Sequence, residues 1–502
     1  MRVLFVASEA YPLAKTGGLG DVARALPSAL IRRGVDARLL LPAYPEALDR
    51  LAGARVEGVL DGILGVPDGR LISGRLPDAE TPVWLLDAPS LYQRPGGPYV
   101  DEHGVDWPDN ARRFAYLSHV AALIGLGLGA YWKADVVHAN DWHTGLAPLL
   151  LAASQGRRPA TVFTVHNLAF QGNFPIELAR WLGVPEACLG MDGCEFYGHA
   201  SFLKAGLRYA DRITTVSPTY AKEVLTPGYG HGLDGLLRAR SKDFHGILNG
   251  VEAALWTPAT DSSLPAPFGP KDISGKRACK AQLQRELGLT VDPDRPLFAY
   301  ASRLTHQKMA DILLEALPWF GKSGAQFALV GQGDPWLEAA FRAAGRSDPG
   351  RLAVNVGFEE ALSHRLYAGA DVVLAPARYE PCGLSQLYAM RYGSLPVVRR
   401  TGGLVDTVVD ASPRAIAEGA ATGFSFQEPT AADLVGAMDR ALELHAQPLA
   451  WRRLQMRAMQ QDFSWDRSAG KYLDLYRRVT GLGPSQTART RDPAVETASV
   501  AV

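Results

Sequence analysis

The apolar positions of this chain fall into two series of short β-rich runs, each alternating with segments of helical spacing. The first run is Met1–Ser8, an apolar stretch of the kind that makes a buried strand. After a polar loop, Val22, Leu26, Ala29 and Leu30 fall at i, i+4, i+7 and i+8, which predicts a helix with Pro27 kinking it. Val35–Leu41 reads as a second strand. Residues 42–110 read as irregular insertions over a core, with a weak strand at Val83–Leu86. Ala111–Leu128 is helical in pattern, and the alternation then becomes regular. Strand Asp135–Ala139, helix Thr144–Ser154, strand Ala160–Val165, helices within Ile176–Tyr209 and strand Arg212–Val216 follow in order, ending at Ile247 to Gly250.

Residues 257–275 are rich in Pro, Ser, Gly and Asp and read as a linker. The second series has strands at Leu297–Ala301, Gln326–Val330, Leu352–Val356, Asp371–Ala375 and Leu395–Val398. Three helices, Thr430–Leu444, Leu449–Gln461 and Asp466–Val479, close it, and residues 483–502 lack apolar periodicity and read as a disordered tail. Strands alternating with helices predict parallel sheets in two α/β halves.

A length of 502 residues suits two to four domains, and no run of eighteen apolar residues suggests a membrane span. Lysines and arginines together number 52, as do aspartates and glutamates, so no global field draws nucleic acid or an anionic membrane. Met1 and Arg2 run straight into the first strand, which reads as no signal peptide. The four cysteines form no C-x-x-C pair, so neither a disulfide framework nor a zinc site is expected, and the reading is a reduced, cytoplasmic protein.

The candidate chemistry sits where strands end. Lys15-Thr16-Gly17-Gly18-Leu19-Gly20-Asp21 lies between the first strand and the first helix, where backbone N–H groups and a helix dipole favour an anion. It matches neither G-x-G-x-x-G nor a Walker loop, and alone it reads equally as a turn whose glycines relieve crowding. Its echo, Thr401-Gly402-Gly403-Leu404-Val405-Asp406, occupies the same context in the second half. Asp141 and His166 each follow an apolar strand and suit a hydroxyl-rich substrate. H-E-x-x-H is absent, so no metal is expected. Arg303 and Lys308 follow the strand Leu297–Ala301 and suit two neighbouring phosphates, the guanidinium as a fork and the ammonium as a point charge. Tyr379 to Gln386 opens a helix, with Pro381 in its first turn and the N–H groups of Cys382 to Ser385 turned to an anion. Glu380 repels phosphate and so faces a neutral part of the ligand. Together these describe a phosphorylated sugar donor.

Lys15 to Leu19, His138 to His143, His166-Asn167, Asn249-Gly250-Val251, Ser302 to Lys308, Glu380 to Gln386 and Thr401 to Asp406 occur in order across most of the chain. In this ordered set the chain resembles the starch/glycogen synthases of glycosyltransferase family five, in their bacterial form. The resemblance implies a GT-B architecture: two Rossmann-like domains with an interdomain cleft, and a C-terminal helix crossing back to the first domain. The expected division is an N-terminal domain at 1–252, a linker at 253–275, a C-terminal domain at 276–462, the returning helix at 463–480 and the tail at 483–502. It implies ADP-glucose as donor and an α-1,4-glucan such as glycogen as acceptor, with no cofactor or metal.

By motif, Glu380, Arg303, Lys308, His166 and Asp141 are the expected catalytic groups. Arg303 and Lys308 also belong to the expected donor site with Lys15, Gly17, Gly18, Asp21, Asn249, Cys382, Gly383, Leu384, Ser385, Tyr388, Gly402 and Gly403. Lys15 is expected to approach the diphosphate from the other domain, and Asp141, His166 and Asn249 to line the glucose pocket from the first. Two positions depart from the pattern. Met309 stands where the family usually has glycine, which bears on the turn beside Lys308, and Tyr388 stands where related retaining transferases carry a second glutamate. The rival readings are a GT-B transferase using UDP-glucose or another acceptor, and an inactive glucan-binding homologue. A dehydrogenase is remote without G-x-G-x-x-G.

Overall fold

The computed structural model describes residues 1–60, 62–127, 132–357 and 359–482. The expected tail at 483–502 lies outside the described residues. The chain divides into two compact units. Among the described residues, the first comprises 1–214, 236–244 and 468–482; the second comprises 215–235 and 245–467.

The first unit is built on a nine-stranded sheet. Its strands in chain order are Arg2–Val6 (β1), Asp36–Pro42 (β2), Ala52–Val59 (β3), Arg70–Arg75 (β4), Pro82–Asp87 (β5), Val136–Asn140 (β6) and Ala160–Val165 (β7). A separate three-stranded sheet follows, Asn173–Pro175 (β8), Glu195–Phe196 (β9) and His199–Ser201 (β10), before Arg212–Thr215 (β11) and Phe244–Gly246 (β12) complete the large one. The order across the large sheet is β12-β11-β7-β6-β1-β2-β5-β4-β3. β1 pairs in parallel with both β2 and β6. Helices cover a parallel sheet on both faces, which is why Val3 to Val6 are wholly buried.

The insertion at 42–110 is more regular than its sequence suggests. β3 and β4 form antiparallel pairs that extend the sheet beyond β5. β3 is an edge strand exposed along nearly all its length, so it needs no apolar alternation and shows none. The first helix, Gly18–Arg32, continues through Pro27. The three-stranded sheet within 173–201 likewise lacks long apolar runs. Its strands are only two or three residues each.

A polar relay crosses this otherwise apolar interior. His138 on β6 bonds Thr164 Oγ1 on β7 at 2.6 Å through Nε2, and Thr164 meets Thr214 Oγ1 on β11 at 2.5 Å. The other ring nitrogen, Nδ1, lies 2.7 Å from the hydroxyl of Tyr476, on the last helix, Trp465–Thr480. Burial pushes His138 down to about 3, so its ring is neutral, with one nitrogen donating and the other accepting. The imidazole thus fastens the end of the chain to the centre of the first sheet.

The second unit has a six-stranded sheet: Leu297–Ala301 (β13), Gln326–Gly331 (β14), Leu352–Val356 (β15), Val372–Ala375 (β16), Leu395–Arg399 (β17) and Phe424–Phe426 (β18). The order is β15-β14-β13-β16-β17-β18, all pairs parallel. Helices Ala431–His445 and Pro448–Met459 fall where the periodicity puts them. Residues 253–274 hold no helix or strand, and Trp256 from this stretch is buried between the rings of His364 and Tyr388 at 4.0 and 3.6 Å. No described helix is long and apolar enough to cross a membrane.

Tyr476→Phe leaves a buried nitrogen of His138 without its partner. It should destabilise the first unit by about 1–3 kcal/mol, the usual cost of an orphaned buried polar group. The check is the denaturant midpoint of the variant against wild type, and an unchanged midpoint would dismiss the relay as a clamp.

Candidate active site

In the second unit the strand order reverses at β13, which has β14 on one side and β16 on the other. The chain leaves their carboxyl ends in opposite directions, so a crevice opens there, the usual ligand position in such sheets. The loop after β13 carries Ser302 to Lys308, and the loop after β16 carries Tyr379 to Leu384. Polar contacts zip the two loops together. Arg378 N–H donates to the Gln307 carbonyl at 2.9 Å, its Nη1 donates to the His306 carbonyl at 2.6 Å, and its fork grips Asp311 at 2.7 and 2.8 Å. As a result Lys308 and Glu380 meet as an ion pair, both side chains largely buried. A small recess adjoins them, lined among others by Ser302, Gly383, Ser385 and Leu404.

Arg303 is exposed and bonds Gln307 Oε1 at 3.2 Å. The Tyr300 hydroxyl donates to the Arg303 carbonyl at 3.0 Å, pinning the start of the loop to the end of β13. At its other end, Met309 takes φ 52°, ψ 34° and is fully buried. The turn that suits a glycine is therefore kept, and Met309 bears a left-handed conformation costing roughly 1–2 kcal/mol.

The helix after Glu380 begins at Ser385, later than expected, so Pro381 lies outside it. Cys382 to Leu384 instead form a turn with Gly383 at φ 74°. Cys382 is buried and its thiol is pushed up to about 12, which makes it a packing residue and no nucleophile. Ser385 Oγ donates to the Ala301 carbonyl at 3.3 Å. The Tyr388 ring stacks on Trp256. The loop of Gly402 and Gly403 presses against Glu380: a Cβ on Gly402 would lie 1.9 Å from the Glu380 carbonyl oxygen, and one on Gly403 would lie 2.2 Å from that of Cys382. Gly403 N–H donates to the Glu380 carbonyl at 3.0 Å. Asn249 lies in the second unit, where its Oδ1 is buried with no hydrogen-bond partner among the described residues.

The first unit repeats the topology, with its reversal between β2 and β6 on either side of β1. Lys15 pairs with Asp21 at 2.8 Å across the two ends of the glycine loop. The amide of Thr16 donates to Glu9 Oε2, and that of Gly17 reaches the same oxygen at 3.3 Å. Glu9, which follows β1, is 3% exposed, and burial raises it to about 7. Gly18 is at the surface beside them.

After β6 comes Asp141, held at φ 56° and ψ 179°, outside the ordinary range for a residue with a side chain. Its Oδ1 accepts the His166 N–H at 2.7 Å, and burial raises it too to about 7. His166 is pushed down to about 3 by burial and is neutral. Asn140 Nδ2 donates to the Val6 carbonyl at 3.0 Å, which fixes Oδ1 as the acceptor for His166 Nε2, also at 3.0 Å. Nε2 therefore carries the hydrogen, and Nδ1 keeps a lone pair for a hydroxyl donor. Among the described residues no three His, Cys, Asp or Glu side chains cluster to hold a metal ion.

Glu9 and Glu223, whose carboxylate bonds the second glycine loop, escaped the sequence reading. For Glu9 the signal was present: a polar group directly after an apolar strand, the same sign that marks Asp141. Glu223 ends a six-residue helix and carries no such sign.

Glu9 makes a pH-dependent contribution of defined sign. With its folded value near 7 and an ordinary value of 4.5, the folded state holds a proton that the unfolded state has lost between those limits. Stability from this group is thus lost as pH rises through that window. His138 and His166 act in the opposite sense but are common to wild type and variant. Glu9→Gln should therefore gain on wild type in melting temperature as pH goes from 5 to 8, by about 3 °C or more. A constant gap would show that Glu9 titrates normally.

Known proteins match the chain over nearly all its length. The model of the starch synthase catalytic domain matches residues 2–239, and that of glycosyl transferases group 1 matches residues 288–455. A glycogen synthase of Burkholderia thailandensis is 53% identical over 95% of this chain and 90% of its own. One from Paramagnetospirillum magneticum is 50% identical over 96% and 98%. The catalytic domain of Arabidopsis thaliana starch synthase IV, solved with ADP and acarbose, superposes with a TM-score of 0.88 at 33% identity, covering 95% of this chain and 99% of that one. A sucrose-phosphate synthase from Thermosynechococcus elongatus shares the fold at TM-score 0.59 and 19% identity. With two Rossmann-like units and these relatives, the chain belongs to the starch/glycogen synthase family of glycosyltransferases, of GT-B architecture.

Proposed function

We propose that this enzyme transfers glucose from ADP-glucose, with retention, to the 4-hydroxyl at the non-reducing end of an α-1,4-glucan, extending glycogen. The observation that carries the reading is the Lys308–Glu380 pair at the switch point of the second sheet, where Arg303 lies on the same loop as Lys308. A cation and a carboxylate, Lys308 and Glu380, line one recess there, as a diphosphate joined to a polyol requires. ADP in the Arabidopsis relative supports the nucleotide, and the names of the bacterial relatives support the acceptor.

In the reaction, the donor C1–O bond breaks toward an oxocarbenium-like transition state, and negative charge builds on the departing diphosphate. Arg303, Lys308 and Lys15 stabilise that charge where it develops. Before donor binds, Lys308 and Glu380 satisfy each other. With donor present, the ammonium turns to phosphate and the carboxylate accepts from glucose hydroxyls. Cys382, Gly383, Leu384 and Ser385 offer the diphosphate their backbone amides, Gly402 and Gly403 hold the neighbouring wall, and Asn249 offers its Oδ1 to a hydroxyl. Asp141 and neutral His166 accept sugar hydroxyls, with Gly17, Gly18 and Asp21 shaping the loop of Lys15. The acceptor oxygen attacks C1 from the face that the leaving group departs, and its proton passes to the leaving phosphate oxygen, giving ADP and a glucan one residue longer. Cationic side chains do the neutralising, so no metal or cofactor takes part. The enzyme acts in the cytoplasm and engages neither nucleic acid nor membrane.

Lys308→Ala or Arg303→Ala should lower kcat by roughly 10²–10³, the scale for losing one preorganised charge-stabilising group. Turnover like that of wild type in either variant would remove these residues from their roles. A panel of nucleotide sugars with glycogen as acceptor should release ADP in preference to UDP. EDTA should leave the rate intact; loss of activity restored by a divalent ion would overturn the metal-free mechanism.

A further inference from the structure

Both Thr-Gly-Gly-Leu loops are already bound to a carboxylate of their own unit. In the first, Glu9 accepts from the amides of Thr16 and Gly17. In the second, Glu223 Oε1 accepts from the Thr401 hydroxyl at 3.1 Å and from the Gly402 amide at 2.9 Å. The same two positions of each loop, the threonine and the first glycine, are taken. Glu9 is 3% exposed, and Glu223 Oε2 is buried with no hydrogen-bond partner among the described residues. Burying the Glu9 carboxylate and one oxygen of the half-buried Glu223 is costly, and packing alone would be served better by apolar side chains. Each loop is also tied at its far end. Lys15 holds Asp21 in the first, and in the second Asp406 accepts from the amide and hydroxyl of Thr219 at 2.8 and 2.7 Å.

The loops carry the groups that the reaction needs. Lys15 begins the first. The second supports Glu380 through the Gly403 amide, and the Gly402 backbone fits under the Glu380 carbonyl only because no Cβ intervenes. We propose that Glu9 and Glu223 are positioning residues: internal acceptors that occupy the first donors of each glycine loop, fix its shape, and so aim Lys15 and the Glu380 backbone at the donor. The inference rests on the ADP-glucose reading above. It changes the role of the loops, because Thr16, Gly17 and Gly402 do not offer their amides to the diphosphate. The charge of the leaving group falls to the cationic side chains and to the turn at Cys382–Ser385.

An acceptor oxygen is what these sites require, and a glutamine carbonyl supplies one without the charge. The test therefore pairs alanine with glutamine at each position in the full chain, with ADP-glucose and glycogen as substrates. Glu9→Ala and Glu223→Ala should raise KM for ADP-glucose about tenfold, the equivalent of one lost hydrogen bond to a charged group, and leave KM for glycogen in place. Glu9→Gln and Glu223→Gln should recover most of that loss. A merely structural role would reduce the yield of folded enzyme without moving KM. An unchanged KM in the alanine variants, or glutamine as deficient as alanine, would overturn the proposal. Should an alanine variant fail to fold, hydrogen exchange resolved to single amides in donor-free wild type decides. Thr16, Gly17 and Gly402 should be protected about a hundredfold relative to open loop amides, the size of a defined hydrogen bond of 2–3 kcal/mol, and free exchange would overturn the proposal. Wild type that transfers no glucose would instead refute the functional reading, while the exchange result would stand.

Discussion

A parallel sheet can grow in two directions from its first strand, and where the direction reverses the chain must leave a gap. That constraint places the chemistry in both units. The loops after β13 and β16 diverge over the gap in the second sheet, and those after β1 and β6 do so in the first. No side chain has to be brought from a distance. Arg303, Lys308 and Glu380 lie within a few residues of strand ends whose own residues are buried and stiff. Rigidity at the strands and freedom at the loops is the division of labour that such sheets permit.

Much of this is legible in the sequence, because buried parallel strands have to be apolar runs and helices packed on them have to be amphipathic. β7, β13 and β15 begin and end at the residues that the pattern marks. The same logic fails for β3, whose edge position relieves it of any apolar requirement, and for β4, which buries only one residue fully. It also misplaces the start of the helix after Glu380. Pro381 fits a first helical turn, but Gly383 at φ 74° takes the chain through a left-handed step first. The helix-start signal of Pro381 cannot reveal such a step, which a glycine takes without the strain of a Cβ.

The candidate site was legible residue by residue and far less so in its contacts. Sequence spacing puts Lys308 and Glu380 at adjacent strand ends, yet gives no sign that they pair. It suggests that the amides of the first glycine loop await an anion, whereas Glu9 already holds two of them. The reason is general. A loop's sequence shows which groups it offers, while their partners come from whichever distant segment the sheet order brings alongside. Glu9 and Asp141 are 132 residues apart in the chain and share one end of one sheet.

Met309 joins two requirements in a single residue. Its backbone needs the left-handed turn that leads into the helix carrying Leu313, and its side chain is wholly buried in the core of the second unit. Glycine would relax the turn and empty the core. Leucine would fill the core and keep the strain. The methionine is thus held by the packing of its side chain against the strain of its own backbone.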